Sequence, residues 1–319
     1  MSFSGNVKEE LSRQTGTARH CQIAEIAALL SMCGHINATA NGGLCLILHT
    51  ENAAVARKYF TLLKKTFSIN TEICVRRNAY LKKSRTYVLA VNRQEDVRRI
   101  LQAVKMDAMR GSLAEQDTLV SSLLVMSSCC KRAFIRGAFL ASGSMSDPNK
   151  AYHLEIVLSS RTKAEQLRTL IASFDIDAKI VVRKKYHVLY IKEGVKIVEL
   201  LNVMEAHVAL MELENVRILK EISGSVNRKV NCETANIGKT ISAAVEQIND
   251  INLIRDTIGL SGLPEQLEEV ALARLAAPEA TLLELGDSLN PPVGKSGVNH
   301  RLRKLKDLAD SIRKDREDM

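Results

Sequence analysis

Tryptophan is absent from this chain of 319 residues, and tyrosine with phenylalanine brings the aromatic share to only 4%. So few rings weaken any reading in which many unpaired bases stack on aromatic side chains. No stretch approaches the roughly 18 uninterrupted apolar residues that a membrane span needs, and the opening MSFSGNVKEELSR lacks the basic-then-apolar pattern of a signal peptide. These absences predict a cytoplasmic protein with no membrane partner. Cys-x-x-Cys pairs are also missing. The seven cysteines (Cys21, Cys33, Cys45, Cys74, Cys129, Cys130, Cys232) are odd in number and scattered, which in a chain without an export signal reads as reduced thiols. The seven histidines do not cluster in the sequence with cysteines or carboxylates at metal-ligand spacing, so neither a metal nor a cofactor is expected.

The residues that are present support a substantial core. An apolar share of 46% with 25% charged residues is ordinary for a globular protein, and the length suggests about two domains at roughly 150 residues each. Lys and Arg number 45 against 36 Asp and Glu, a net charge of +9 that favours a polyanionic partner. With ring stacking scarce, double-stranded DNA is the stronger candidate.

The chain also repeats itself. AEIAALLSMCGHI (Ala24 to Ile36), LCLILHT, a helical stretch ending KKTFSINTEICVRR and the alternating TYVLAVN are followed by AFIRGAFLASGSM (Ala133 to Met145), YHLEIVLSS, a stretch ending IASFDIDAKIVVRKK and HVLYIK. Phe67 and Phe174, Ile69 and Ile176, and Ile73 and Ile180 stand 107 apart, and Gly34 and Gly143 stand 109 apart. Each copy predicts a helix rich in small residues, a strand, an amphipathic helix and two strands joined at a basic turn, an α+β unit. Ala24, Ala27, Ala28 and Ser31 in one opening helix, and Gly137, Ala138 and Ala141 in the other, would let two backbones approach closely. The turns carry Arg76, Arg77, Lys82, Lys83 and Arg85 in the first copy and Arg183, Lys184 and Lys185 in the second. Such clusters either contact DNA phosphates or remain solvated turns.

This duplicated unit resembles the LAGLIDADG homing-endonuclease fold, in which two such helices pack side by side and two curved sheets form a saddle over DNA. The motif aligns on Ala28-Leu-Leu-Ser-Met-Cys-Gly34 and on Gly137-Ala-Phe-Leu-Ala-Ser-Gly143, which puts the metal-binding acid positions of that family at Cys33 and Ser142. Neither is a carboxylate, and Cys or Ser is a poor ligand for the hard Mg²⁺ that phosphodiester hydrolysis by this route needs. Nuclease activity is therefore expected to be lost. The rival reading, a surviving nuclease, has only Asp147 nearby, and the segment His35 to Gly43 in the first copy contains no acid.

Four of the five prolines fall between Pro264 and Pro292, and an all-helical module is expected from about Gly259–Gly262 onward. Before it, Ile237, Ile241, Val245, Ile248, Ile251, Ile254 and Ile258 form one stripe of a long helix from Cys232, either a linker packed on the first domain or a dimerisation surface. Gly238-Lys239-Thr240 within it imitates the end of a phosphate loop, but the required upstream glycine is Glu233. A first helix follows Pro264. Thr281-Leu-Leu-Glu284 is a capping box for a short second helix containing Leu285 and reaching about Leu289. Asn290-Pro-Pro-Val-Gly294 breaks the chain, and a third helix begins near Ser296 with Val298, Leu302, Leu305, Leu308, Ala309 and Ile312 inward. Its opposite face carries Ser296, Asn299, His300, Arg303 and Lys304, with Lys295, Arg301 and Lys306 adding charge, which is the outline of a helix-turn-helix recognition helix. Base readout is expected through Asn299, His300 and Arg303, and phosphate contact through Lys295, Arg301 and Lys304.

As a whole the chain resembles the WhiA family of bacterial regulators, in segments MSFSGNVKEEL, KRAFIRGAFLASGSM, NRKVNCETANIGKTISAAVEQI and LNPPVGKSGVNHRLRKL. The resemblance implies a degenerate LAGLIDADG-like domain joined to a C-terminal helix-turn-helix. It implies a nucleoid-associated, DNA-binding transcriptional regulator tied to cell division, chromosome segregation and, in sporulating species, sporulation. The expected organisation is a first repeat over 1–118, a second over 119–225, a linker helix over 226–260 and the helix-turn-helix over 261–319. In an alternative reading the saddle docks other regulatory proteins and only the C-terminal module binds DNA.

Overall fold

In the computed structural model, which describes residues 2–38, 43–77, 85–106 and 117–317, the chain divides into two units, residues 1–220 and 221–319. The first opens with helix α1 (Phe3–Arg13), capped by the Ser2 hydroxyl, which accepts from the Gly5 amide; Phe3, Val7 and Leu11 point into the core.

Two copies of one pattern follow. Helix α2 (Arg19–Cys33), strands β1 (Gly34–Ala38) and β2 (Leu44–Thr50), helix α3 (Ala53–Phe67), strands β3 (Glu72–Arg77) and β4 (Arg85–Val91) and helix α4 (Gln94–Ala103) form the first. The second consists of α5 (Ser128–Ser142), β5 (Gly143–Met145), β6 (Leu154–Leu158), α6 (Arg161–Ala172), β7 (Lys179–Arg183), β8 (Tyr186–Ile191) and α7 (Gly194–Met204). Each copy builds an antiparallel four-stranded sheet, ordered β1-β2-β4-β3 in one and β5-β6-β8-β7 in the other. The α+β class and the duplication are as expected. The added features are β1 and β5, which pair with the first apolar strand of each copy, and the closing helices α4 and α7.

The small-residue stripes explain how α2 and α5 meet. A Cβ on Gly137 would lie 2.8 Å from the Ala28 Cβ and 2.8 Å from the Glu25 carbonyl oxygen, closer than real side chains approach. Glycine there lets the two helices pack backbone to backbone. From Cys21 to Ser31 every residue of α2 but Ile23 is buried, Ala24, Ile26, Ala27, Ala28, Leu29 and Leu30 completely, as befits a largely apolar helix at the centre of a core.

A charged cluster crosses this core. Glu25 on α2 lies 3.0 Å from the Lys58 ammonium on α3 and 3.2 Å from Arg136 Nε on α5, and Arg136 Nη1 reaches Glu205 Oε2 at 2.6 Å. Lys58 also donates to the Leu11 and Gln14 carbonyls. Burial pulls the Lys58 ammonium below its ordinary range although Glu25 works against that shift. For Arg136 burial acts the same way, but Glu25 and Glu205 outweigh it and hold the guanidinium above its ordinary value.

Helix α8 (His207–Thr257) runs across the division between the units, considerably longer than the helix expected from Cys232. The expected isoleucine stripe is only partly used. Ile251 and Ile254 are fully buried in the core of the second unit, whereas Ile237, Ile241 and Val245 are more than half exposed. Gly238-Lys239-Thr240 lies inside this helix and forms no loop. Helices α9 (Glu265–Ala276), α10 (Leu282–Asp287) and α11 (Lys295–Glu317) complete the unit around Val270, Leu285, Leu289, Val298, Leu302 and Leu305. No helix among the described residues is long and apolar enough to cross a membrane.

Candidate nucleic-acid interface

The start of α11 is positioned by the chain on both sides of it. The capping box forms: the Glu284 amide donates to Thr281 Oγ1 at 3.3 Å and the Thr281 amide donates to Glu284 Oε2 at 2.7 Å, which fixes where α10 begins. Gly286 then lies against the turn. Its carbonyl accepts from the Val293 amide at 2.9 Å, and any Cβ there would collide with the Val293 carbonyl. After Gly294 the chain enters α11 at Lys295, and Val298, Leu302 and Leu305 anchor the inner face at 0%, 3% and 1% exposure.

The outer face carries Ser296, Asn299, His300, Arg303 and Lys304, all exposed. Lys295, Arg303 and Lys304 form no ion pair among the described residues, so their charges face solvent. Lys239 from α8 lines the same cavity as Lys295 and Asn299 and adds another cation beside the start of α11. Such an array of hydrogen-bonding and cationic side chains, at the N-terminal part of a helix, can meet base edges and phosphates together.

Arg301 stands apart from this face. Expected to contact phosphate, it is instead 17% exposed and turned onto α9, 3.4 Å from Glu269 Oε2 and 3.5 Å from the Gln266 carbonyl. Glu269 also accepts from the Asn290 amide at 2.7 Å, so the pair ties the turn and α11 to α9. Lys306 is likewise held by Glu246 of α8 at 2.6 Å, and Arg313 by Asp250.

In the first unit, β3 and β7 are the sheet edges that bear the basic turns. Arg76 pairs across with Thr86 and Arg77 with Arg85, and Arg76 and Arg85 are exposed; Lys82 and Lys83 lie outside the described residues. In the second copy Arg183 pairs with Tyr186 across the Lys184-Lys185 turn, Lys184 taking a left-handed φ of 54°. Arg183 is partly neutralised by Glu155 at 2.9 Å. Lys184 and Lys185 are exposed.

Cys33 and Ser142 close α2 and α5, as their common offset in the two copies requires. Ser142 Oγ donates to the Val157 carbonyl at 2.7 Å and the Cys33 thiol approaches the Ala141 carbonyl at 3.8 Å. Burial pushes the Cys33 thiol up to about 11, so a neutral thiol and a hydroxyl, not carboxylates, stand at these two helix ends. The Lys163 ammonium, which donates to the Ser31 carbonyl at 3.2 Å, lines the same cavity as Ser142. Asp147 is engaged elsewhere, accepting from the Asn149 amide and side chain at 2.9 and 3.1 Å.

The expectation that histidine and cysteine stay apart is corrected by the fold. His20, Cys21, Cys129 and Cys130 converge where α2 and α5 begin, with one donor atom from each within 4.8 Å of all the others. Neither pair is a spaced motif, so ligand-spacing rules miss them. The repeat contains the signal: His20 to Cys129 and Cys21 to Cys130 are both offset by 109, as are Gly34 and Gly143.

The family model of the WhiA N-terminal LAGLIDADG-like domain matches residues 19–107, that of the WhiA LAGLIDADG-like domain matches 131–223, and that of the WhiA C-terminal HTH domain matches 226–309. A protein of Lachnoclostridium phytofermentans named probable cell division protein WhiA is 56% identical over 98% of this chain and 100% of its own length. One of the same name from Alkaliphilus oremlandii is 48% identical over 98% of each chain. The crystal structure of full-length WhiA from Thermotoga maritima superposes with a TM-score of 0.60 at 27% identity, covering 98% of this chain and 99% of that one. A duplicated LAGLIDADG-like saddle followed by a helix-turn-helix, matched along almost the whole sequence, makes this chain a member of the WhiA family.

Proposed function

We propose that this protein is a non-enzymatic, sequence-specific binder of double-stranded DNA that regulates transcription in the programme of cell division. The reading rests on the outer face of α11, where Ser296, Asn299, His300, Arg303 and Lys304 are exposed on a helix whose opposite side is anchored in a helix-turn-helix core. Asn299, His300 and Arg303 read base edges in the major groove, and Lys295 and Lys304 hold phosphates. The names of the relatives support a role in cell division. Chromosome segregation, and sporulation where the host sporulates, belong to the same proposal, as does association with the nucleoid. The saddle adds phosphate contacts through Arg76, Arg77, Arg85, Arg183, Lys184 and Lys185. The neutral Cys33 and Ser142 favour binding without cleavage.

The test is selection of genomic fragments by the full chain in the presence of Mg²⁺, followed by salt titration on the selected site. Charge reversal at Arg76, Lys184 and Lys185 together should weaken binding to every sequence alike, flattening the log–log salt slope by about 0.9 for each phosphate no longer neutralised. An unchanged affinity would leave the saddle as a docking surface for other proteins, with the C-terminal module alone on DNA. Cleavage of the fragments would overturn the non-enzymatic reading.

A further inference from the structure

The dipeptides His20-Cys21 and Cys129-Cys130 are equivalent positions of the internal repeat, brought together because α2 and α5 pack side by side. His20 Nδ1 lies 3.1 Å from Cys130 Sγ and 3.4 Å from Cys21 Sγ, and the fourth donor, Cys129 Sγ, falls within the same 4.8 Å cluster. Zinc held by sulfur at about 2.3 Å and nitrogen at about 2.0 Å requires donors roughly 3.5–3.8 Å apart at the corners of a tetrahedron. The two His20 contacts fall within a few tenths of an ångström of that spacing, and the four donors all lie within 4.8 Å of one another. We propose that His20, Cys21, Cys129 and Cys130 form a structural zinc site that clasps the first turns of the two central helices.

The donor set determines which ion fits. Three thiolates and one imidazole suit Zn²⁺ and discriminate against the hard, oxygen-seeking Mg²⁺. On binding, each of the three thiols gives its proton to solvent and no electrons move. Three thiolates leave a net charge of −1 on the zinc centre, and Arg19, Lys131 and Arg132 adjoin the ligands in sequence to offset it. Cys21 and Cys130 are 8% and 6% exposed, while His20 and Cys129 are exposed, so the site is half walled by protein and open to an arriving ion. This position is at the opposite ends of α2 and α5 from Cys33 and Ser142. Cys33 lies twelve residues further along α2 from Cys21, roughly 18 Å at 1.5 Å per residue. Further along the same helices the two repeats are joined by packing and by the Glu25–Arg136 ion pair. A metal held half by each adds a cross-link between them.

The experiment titrates the full chain, stripped by chelation under reducing conditions, with Co²⁺ and then Zn²⁺. One Co²⁺ per chain is expected, with thiolate-to-cobalt charge-transfer bands and intense tetrahedral d–d bands that Zn²⁺ bleaches, and Zn²⁺ should raise the Tm. Cys129→Ser, at an exposed position, keeps the fold but should lose charge-transfer intensity and bind Zn²⁺ at least about tenfold more weakly, a loss seen even when only an outer-shell partner of a metal is removed. Cys21→Ser with Cys130→Ser should abolish the bands. Cys74→Ser with Cys232→Ser, exposed thiols outside the cluster, should change nothing. Absence of thiolate bands in the unaltered chain, unchanged affinity in Cys129→Ser, or a Cys21–Cys130 disulfide in freshly isolated protein that carries no zinc would overturn the proposal.

Discussion

Removing the Glu25 carboxylate would leave Lys58 and Arg136 buried beside each other, with Glu205 too far toward the surface to serve both. An ion pair in the interior is of modest net worth, yet deleting one partner strands the others in low dielectric. Glu25→Gln should therefore cost about 3–5 kcal/mol in urea unfolding; a loss under about 1 kcal/mol would mean that water reaches the cluster. Two glycines respond in opposite directions. Gly137→Ala forces a methyl group onto Ala28 and the Glu25 carbonyl and should destabilise by about 1–3 kcal/mol. Gly238→Ala on α8, where nothing lies within 4 Å, should stabilise by up to about 1 kcal/mol. If Gly137→Ala leaves the unfolding midpoint unchanged or raises it, the close packing of α2 on α5 is not what selects glycine at 137. On α11, Arg303→Ala should cost about 1–3 kcal/mol at one base pair of the target and relax selection there, in binding assays against single-base variants.

At the scale of elements, the helix-turn-helix depends on where α10 starts and how closely the turn follows it. Thr281→Ala removes one half of the capping box and should lower the stability of the second unit by about 1 kcal/mol, read as earlier loss of helical signal in that unit on heating. These elements are legible in the sequence because proline, glycine and capping residues mark their ends locally. The repeat is legible for a similar reason, since Phe67 and Phe174 or Gly34 and Gly143 keep their register over a hundred residues. Strands β1 and β5 are not, because GHINA and GSM are too short and mixed to show alternation. The N-terminal half of α8 escapes notice because Ser223, Gly224, Ser225 and Asn227 dilute its periodicity. Arg301 reads as a phosphate contact from its place beside the outer face of α11, and only the fold shows Glu269 on α9 within reach of it. The His20 and Cys130 convergence depends on helix pairing, which residue spacing along one chain does not express.

For the whole molecule, a surplus of +9 gives any polyanion some affinity, so binding alone decides little. What separates a reader of sequence from a basic surface is whether selectivity and salt-sensitive affinity can be removed independently. In the proposed mode of binding, selectivity belongs to one face of α11, while affinity is distributed over the saddle edges and the start of that helix. The decisive experiment replaces Asn299, His300 and Arg303 together by alanine in the full chain and compares fragment selection with total DNA affinity across salt concentrations. Selection should disappear while weak, salt-steep binding to all fragments persists. Retention of the same preferred fragments at the same ratio over bulk DNA would refute this division of labour and move the reading of sequence away from α11.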